Sequence, residues 1–415
     1  MEKIVKKYKY QILLVIIGLA WMLTLNFFMQ VGKQGYIYAD SDNYREAGSY
    51  LYHDLKAHYY RPAGMAAVFG LPYLFGGDDA DVYAFSFYIN MCCWLGTALL
   101  LFRFLRRYFS EYKALILSSL FYTLIGSAFM VFHLLTESIF TFIIILAFYL
   151  VDRFKREDSY KYLAYAVSLL ILAVLVKPGA KFLAIALIVF FSRILIRNYK
   201  RSSNILIFAS IATVMFFCFK MKEAYGNFTV SYIDGVTYYN YLGSNALSLK
   251  EGRDIDEKRA ERMDYIFGKT FPEMKTIAAE DFKEQMTHNT KNIIKAYFLD
   301  IITNTKAATD CIAICKNIDN APYFETLKQS MMFVSKYQNR IFTVLGVILA
   351  LWYCAKSYKN PDVYTLMGLY ILYTIAISGI SSNQGDRFHA VFFPFVIILA
   401  GKLYAERFSK NTLPQ

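Results

Sequence analysis

Apolar residues in this chain gather into runs of about twenty, separated by short segments rich in Lys and Arg. An α-helix rises 1.5 Å per residue, so such a run covers the roughly 30 Å of a bilayer's hydrocarbon core. Ten stretches qualify, at about 10–29, 83–104, 112–130, 132–151, 160–178, 179–197, 204–221, 339–355, 362–380 and 387–405. The expected fold is therefore an all-α polytopic membrane protein. Composition agrees, since 57% of the 415 residues are hydrophobic and only 19% charged, against about a quarter charged in soluble domains.

The net charge of +13 would point to nucleic acid in a soluble protein. Here the basic residues alternate with the apolar runs instead. Lys3, Lys6, Lys7 and Lys9 open the chain, and Arg103, Arg106, Arg107 and Lys113 follow the second run. Further clusters are Arg153, Lys155 and Arg156, then Arg193, Arg197, Lys200 and Arg201, then Lys356 and Lys359, then Arg407 and Lys410. Ten crossings place all of them on one side, which the positive-inside rule makes cytoplasmic, both termini included. The expected partner is a cell-membrane bilayer, with no nucleic acid. The opening MEKIVKKYKY and its long apolar run, with no small-residue cleavage site after it, read as a retained signal anchor.

Two external segments are too long to be linkers, about 30–82 and 222–338. They divide the chain into a membrane module over 1–221, an extracytoplasmic domain over 222–338 and C-terminal crossings over 339–415. In the first segment Tyr44, Ala47, Leu51 and Leu55 recur at spacings of three and four, which predicts an amphipathic helix at the membrane surface. In the second, a Tyr-rich start and stretches such as DIDEKRAERMDYIFG predict a small ordered helical domain.

A ruler along the runs locates three unusual charges. Counting twenty residues back from Val151 puts Glu137 about one turn inside the external edge of the hydrocarbon. Lys177 falls at the external end of the fifth run and Arg387 at the external start of the last. An ionised group near the bilayer centre costs roughly 2.5–3.5 kcal/mol, so such residues normally face a wet cavity. The plainer alternatives are snorkelling of Lys177 and Arg387 to headgroups, and for Glu137 a salt bridge made only for assembly. Asp40 and Asp42 also have a plain reading, in which Asp40 or Ser41 caps the first-loop helix and Asp42 meets its dipole.

Other features carry less. His53, His58 and His133 fit no standard metal spacing, so a divalent metal is conceivable but unsupported. Cys92, Cys93, Cys218 and Cys354 sit in apolar runs as small hydrophobes. Cys311 and Cys315 lie a helical turn apart and are either bonded or two free thiols. Asn227-Phe228-Thr229 matches a glycosylation sequon.

Taken in order, several of these stretches resemble the GT-C superfamily of polytopic glycosyltransferases, in the branch of protein O-mannosyltransferases and the lipid A aminoarabinose transferase. The residues are Asp40, Tyr44 and Ala47; Arg61, Pro62, Ala63 and Gly64; Thr136 and Glu137; Lys177 and Pro178; and Arg387 and Phe388, with Pro394 beyond. The match departs from the pattern where Ala63 replaces a second Pro, where Lys177 replaces the commoner Arg, and where Asp40-Ser41 replaces an Asp-Glu pair. The resemblance implies a polyprenyl-phosphate sugar as donor and inverting transfer to an acceptor hydroxyl on the outer face. Asp40 would be the base, with Asp42 in reserve. Arg61, Lys177 and Arg387 would stabilise the leaving phosphate, and Glu137, Tyr44 and Tyr60 would complete the substrate site. The acceptor is a glycan, lipid or protein, shaped by the second external segment. The competing readings are a transporter or flippase of lipid-linked glycans, which should show repeat symmetry between halves, and a glycan polymerase or ligase.

Overall fold

The computed structural model describes residues 2–34, 38–382 and 384–408, of which residues 2–5 by backbone alone. Lys410 and the side chain of Lys3 lie outside the described residues. The described chain is helical, with no strand among the described residues. Four helices are long and apolar enough to cross a bilayer: Lys6–Met29, Asp79–Leu105, Asn204–Tyr225 and Phe324–Lys356. Tyr160–Ala173, Ala180–Phe190 and Val363–Ser378 are apolar but shorter. This is an all-α membrane protein.

Several expected runs are not single helices. Residues 112–130 divide into Glu111–Ser119 and Ile125–Met130. The peptide groups freed at that break are satisfied by Gln338 of the long helix Phe324–Lys356. Its Oε1 accepts from Ile125 N at 3.0 Å, and its Nε2 donates to Thr123 O at 2.6 Å. Irregular backbone survives inside apolar surroundings only when a neighbouring helix bonds it this way. The expected last run breaks after one turn, Arg387–Ala390, and resumes as Phe393–Phe408. Pro394 accounts for the restart, because proline fits a helix's first turn and not its interior.

Glu137–Glu157 is the central helix, packed between Asp79–Leu105 and Tyr160–Ala173. Phe148 meets Tyr370 and Phe395 there, at ring separations of 5.8 and 5.2 Å. The first-loop helix Ala39–Asp54 buries Ser41, Tyr44, Ala47 and Gly48, which carries the expected amphipathic stripe. Leu55 is not part of it. It stands beyond the helix in a left-handed conformation, φ 50°, with its side chain exposed.

The second long segment, about 222–338, splits in its packing. Val236, Tyr238, Leu242, Ile266, Met274 and Ile293 belong to a core of their own. Cys311, Ile312, Cys315 and Phe324 join the main core of the bundle instead. Helix Phe324–Lys356 then runs without interruption through residue 338, so no break in secondary structure marks the end of that segment.

Candidate active site

Arg387 organises the site. Its Nη1 donates to Asp40 Oδ2 at 2.8 Å and to the Tyr38 hydroxyl at 3.1 Å. Its Nε donates to Glu137 Oε1 at 3.1 Å, and Nη2 lies 3.0 Å from the same oxygen. Arg61 Nη2 donates to the other oxygen of Asp40 at 2.7 Å, and Lys177 Nζ to Glu137 Oε1 at 3.2 Å. Five charged residues from distant segments thus form one connected network. Glu137 is 2% and Arg387 7% exposed, so each needs the other.

Local structure explains how each arrives. Glu137 is the first residue of its helix, with Thr136 before it. Residues 131–136, expected to open the same run, turn instead of extending the helix. At that end a carboxylate also gains from the helix dipole. Lys177 sits in the turn after Tyr160–Ala173, its amide donating to Ala173 O at 2.9 Å. Its ammonium lies 5.5 Å from the Phe388 ring, so Phe388 accompanies Arg387 as a platform for a second cation.

Arg61 is placed by two contacts. His58 Nδ1 accepts from the backbone amides of Tyr60 and Arg61 at 3.1 and 3.0 Å. That leaves Nε2 to carry the proton toward Glu46 Oε2, 3.4 Å away. Burial lowers the pKa of His58 to about 4, so the imidazole is neutral at pH 7 and can accept both bonds. Beyond Arg61, the Gly64 amide donates to Leu175 O at 2.9 Å. A Cβ on Gly64 would stand 2.7 Å from that oxygen and 2.9 Å from its carbon. The approach needs glycine, and it ties the Arg61 segment to the turn bearing Lys177. Gly64→Ala should therefore cost about 1–3 kcal/mol through overpacking and loosen both cations at once. Thermal unfolding of the purified variant checks this, and an unchanged midpoint would refute it.

Asp40 is not a helix cap. The cap position is Tyr38, which makes no side-chain capping bond, and Ala39–Asp54 begins before Asp40. Its carboxylate goes to the two arginines instead. Burial by itself would raise its pKa, but the charges of Arg387 and Arg61 outweigh that and hold it at about 2. Tyr44 is buried, and its ring lies 4.7 Å from the Arg61 guanidinium. Two expected site residues stand apart. Asp42 projects outward with its side chain 70% exposed, accepting from the Tyr83 hydroxyl at 2.8 Å. The Tyr60 hydroxyl turns to Met274 Sδ at 3.6 Å, and its ring packs on Tyr59 and Phe271. The reason is rotation about the helix for Asp42, two residues from Asp40, and apolar packing for Tyr60.

Tyr38, His58 and Phe388 belong to the site's construction, and no spacing rule marks the first two. Among the described residues no three His, Cys, Asp or Glu side chains group as a metal site. His53, His58 and His133 point to separate surroundings, His53 to Ser49 and Tyr73 and His133 to Tyr38. Cys311 and Cys315 are free, buried thiols, the latter donating weakly to Cys311 O at 3.3 Å. Glu137 also lines a water-sized void with Trp94, Thr97, Ser138 and Thr141, and its Oε2 has no partner. Phe121, Met130 and Ala390 also line it, and hydroxyls beside an unpartnered carboxylate oxygen are the partners an ordered water takes. Searches of family models, curated proteins and solved structures find nothing that matches this chain.

Proposed function

We propose that this chain is a membrane glycosyltransferase that moves a sugar from a polyprenyl-phosphate donor to an acceptor hydroxyl on the outer face of the membrane. The proposed topology has ten crossings, the shorter and broken helices completing those of the four long ones, with both termini cytoplasmic. The observation that carries the reading is the charge of the network. Arg61, Lys177 and Arg387 bring three positive charges and Asp40 and Glu137 two negative ones, so within these five directly bonded residues 3 − 2 leaves one positive charge. Lys177 spends one of its three N–H groups on Glu137. A half-buried lysine with N–H groups to spare, its side chain 23% exposed, is a site for an anion, and a lipid phosphate is the anion a membrane supplies.

The geometry also bears on the base. A carboxylate held at about 2 is a weak proton acceptor at neutral pH. A donor phosphate that takes over Arg61 and Arg387 frees Asp40 and raises its basicity as the substrate arrives. The acceptor oxygen then attacks the anomeric carbon while Asp40 takes its proton. The bond from that carbon to the phosphate oxygen breaks, the electron pair leaves with the phosphate, and the configuration inverts. Fixed cations around the departing oxygen stabilise the charge that develops there.

The test is transfer by the purified chain in vesicles containing polyprenyl-phosphate sugars, with products identified by mass. Surface glycans and lipids of a deletion strain narrow the sugar to be tried. Asp42→Asn should leave transfer within about two-fold and stability within roughly 0.5 kcal/mol, as for an exposed side chain. Loss of activity in that variant would move the base from Asp40 to Asp42. Donor translocation without any glycosidic product would replace the transferase reading with a flippase.

A further inference from the structure

Helix Thr290–Lys306 has an apolar stripe on the wrong side for a helix in water. Its inner face buries Ile293, Ala296, Asp300 and Asn304. Its outer face carries Ile294, Phe298, Leu299 and Ile302, which are 50, 57, 42 and 45% exposed. Their spacing of four, one and three residues makes a continuous strip along one side of a helix. Lys291, Lys295 and Lys306 flank it and are exposed.

The level of this helix in the bundle says what covers the strip. Asn304 Nδ2 donates to Ser378 O and Ser381 O at 2.8 and 2.6 Å. Asn339 Nδ2 donates to Asn304 O and Ala307 O at 2.7 and 3.0 Å. The Tyr297 hydroxyl donates to Ala376 O at 2.7 Å. Asn339 stands seventeen residues before Lys356, the end of its helix, which is about 25 Å along the axis. Ser378 stands fifteen residues after Val363, about 22 Å. Both distances fall within the roughly 30 Å of hydrocarbon that these helices cross. On the proposed topology the partners of Thr290–Lys306 therefore lie at acyl-chain depth.

We propose that Thr290–Lys306 is an interfacial anchor that lies in the leaflet opposite the basic loops. Ile294, Phe298, Leu299 and Ile302 enter the acyl chains, and the three lysines reach up to the lipid phosphates. The inner face of the same helix holds Ala376, Ser378 and Ser381, which precede Arg387 by eleven, nine and six residues. The bilayer thereby braces the loop that delivers the central arginine. The proposal rests on the topology above and is independent of the reaction.

The test uses the wild-type chain in vesicles of phosphatidylethanolamine and phosphatidylglycerol containing a phospholipid with a diazirine on its acyl chain. After illumination, protease fragments carrying lipid adducts are located by mass spectrometry. Tyr265 and Phe282 are exposed rings of the same external region, 52 and 46%, and serve as the water-facing reference. Adducts over 294–302 should exceed those at Tyr265 and Phe282 at least roughly ten-fold, as for a helix seated among acyl chains. Equal labelling of the two regions overturns the proposal. So does an absence of lipid adducts over 294–302 in vesicles where other apolar helices of the chain are labelled. Phe298→Glu gives an independent reading, since the charge should draw the helix outward and lower its adduct yield while the fold, judged by labelling at Leu369, persists. Unchanged adducts in that variant also count against the anchor.

Discussion

Asp40→Asn should lower transfer by ~10²–10⁴-fold, the range for losing a general base, while donor still binds. Asparagine cannot take the acceptor's proton, yet it removes a negative charge from between Arg61 and Arg387. The donor phosphate then meets two guanidinium groups with less competition, so donor affinity should hold or rise. That split, activity down and binding unharmed, distinguishes a base from a structural counter-ion, whose loss would harm both. Equilibrium binding of the donor lipid and single-turnover transfer measure the two sides. If the variant turned over at the wild-type rate, Asp40 would not be the base.

The pH dependence follows with its sign. The pKa of Asp40 is lowered from its ordinary 3.8 to about 2 by the two arginines acting against burial. Its ion pairing is thus complete above about pH 4 and is lost only as pH falls toward 2. In the free protein no acid limb from this group appears near neutrality. With donor bound and the arginines drawn to phosphate, the same carboxyl titrates higher. The acid limb of kcat should therefore lie at higher pH than that of kcat/KM, because the first reports the complex and the second the free enzyme.

Glu137→Ala should be the most damaging substitution for stability, at about 3–5 kcal/mol, the cost of breaking a buried ion pair by removing one partner. Arg387 would keep Asp40 but lose its buried counter-charge, and Lys177 would lose its carboxylate altogether. Glu137→Gln preserves shape and removes only the charge, so the difference between the variants separates packing from electrostatics. Thermal unfolding in detergent, with and without added phospholipid, is the measurement. A fall of less than about 1 kcal/mol for the alanine variant would mean that Arg387 is satisfied by Asp40 and Tyr38 alone.

The facial argument that identifies the first-loop helix reaches further than its apolar residues. Asp40 precedes Tyr44 by four and Ala47 by seven, so all three share one side of the helix. Asp42 is two residues, or about 200°, around from Asp40 and falls on the other side. The preference for Asp40 was thus latent in spacing, and the burial of Tyr44 and Ala47 against exposed Asp42 agrees with it. The meeting of Glu137, Lys177 and Arg387 was legible for the same reason, since helix rise converts sequence distance into position along a helix. The exact start of the helix at Glu137 was not. Residues 131–136 contain no Gly or Pro, and their locally bonded turn is tied to a neighbouring helix by Asn90, whose Nδ2 donates to His133 O at 2.9 Å.

What the chain's own sequence determined is everything that follows from rise, rotation and charge along single segments. This includes the apolar helices, the alternation of basic loops, the inward face of Ala39–Asp54 and the meeting of three charges. Tertiary structure alone decided the pairings: Arg387 between Asp40 and Glu137, 347 and 250 residues away, Tyr38 on the same guanidinium, and His58 under Arg61. A helix period reports which side a residue takes, but a hydrogen bond between remote segments depends on how whole helices pack. That packing is set by the summed fit of many side chains, and no single stretch of sequence carries it.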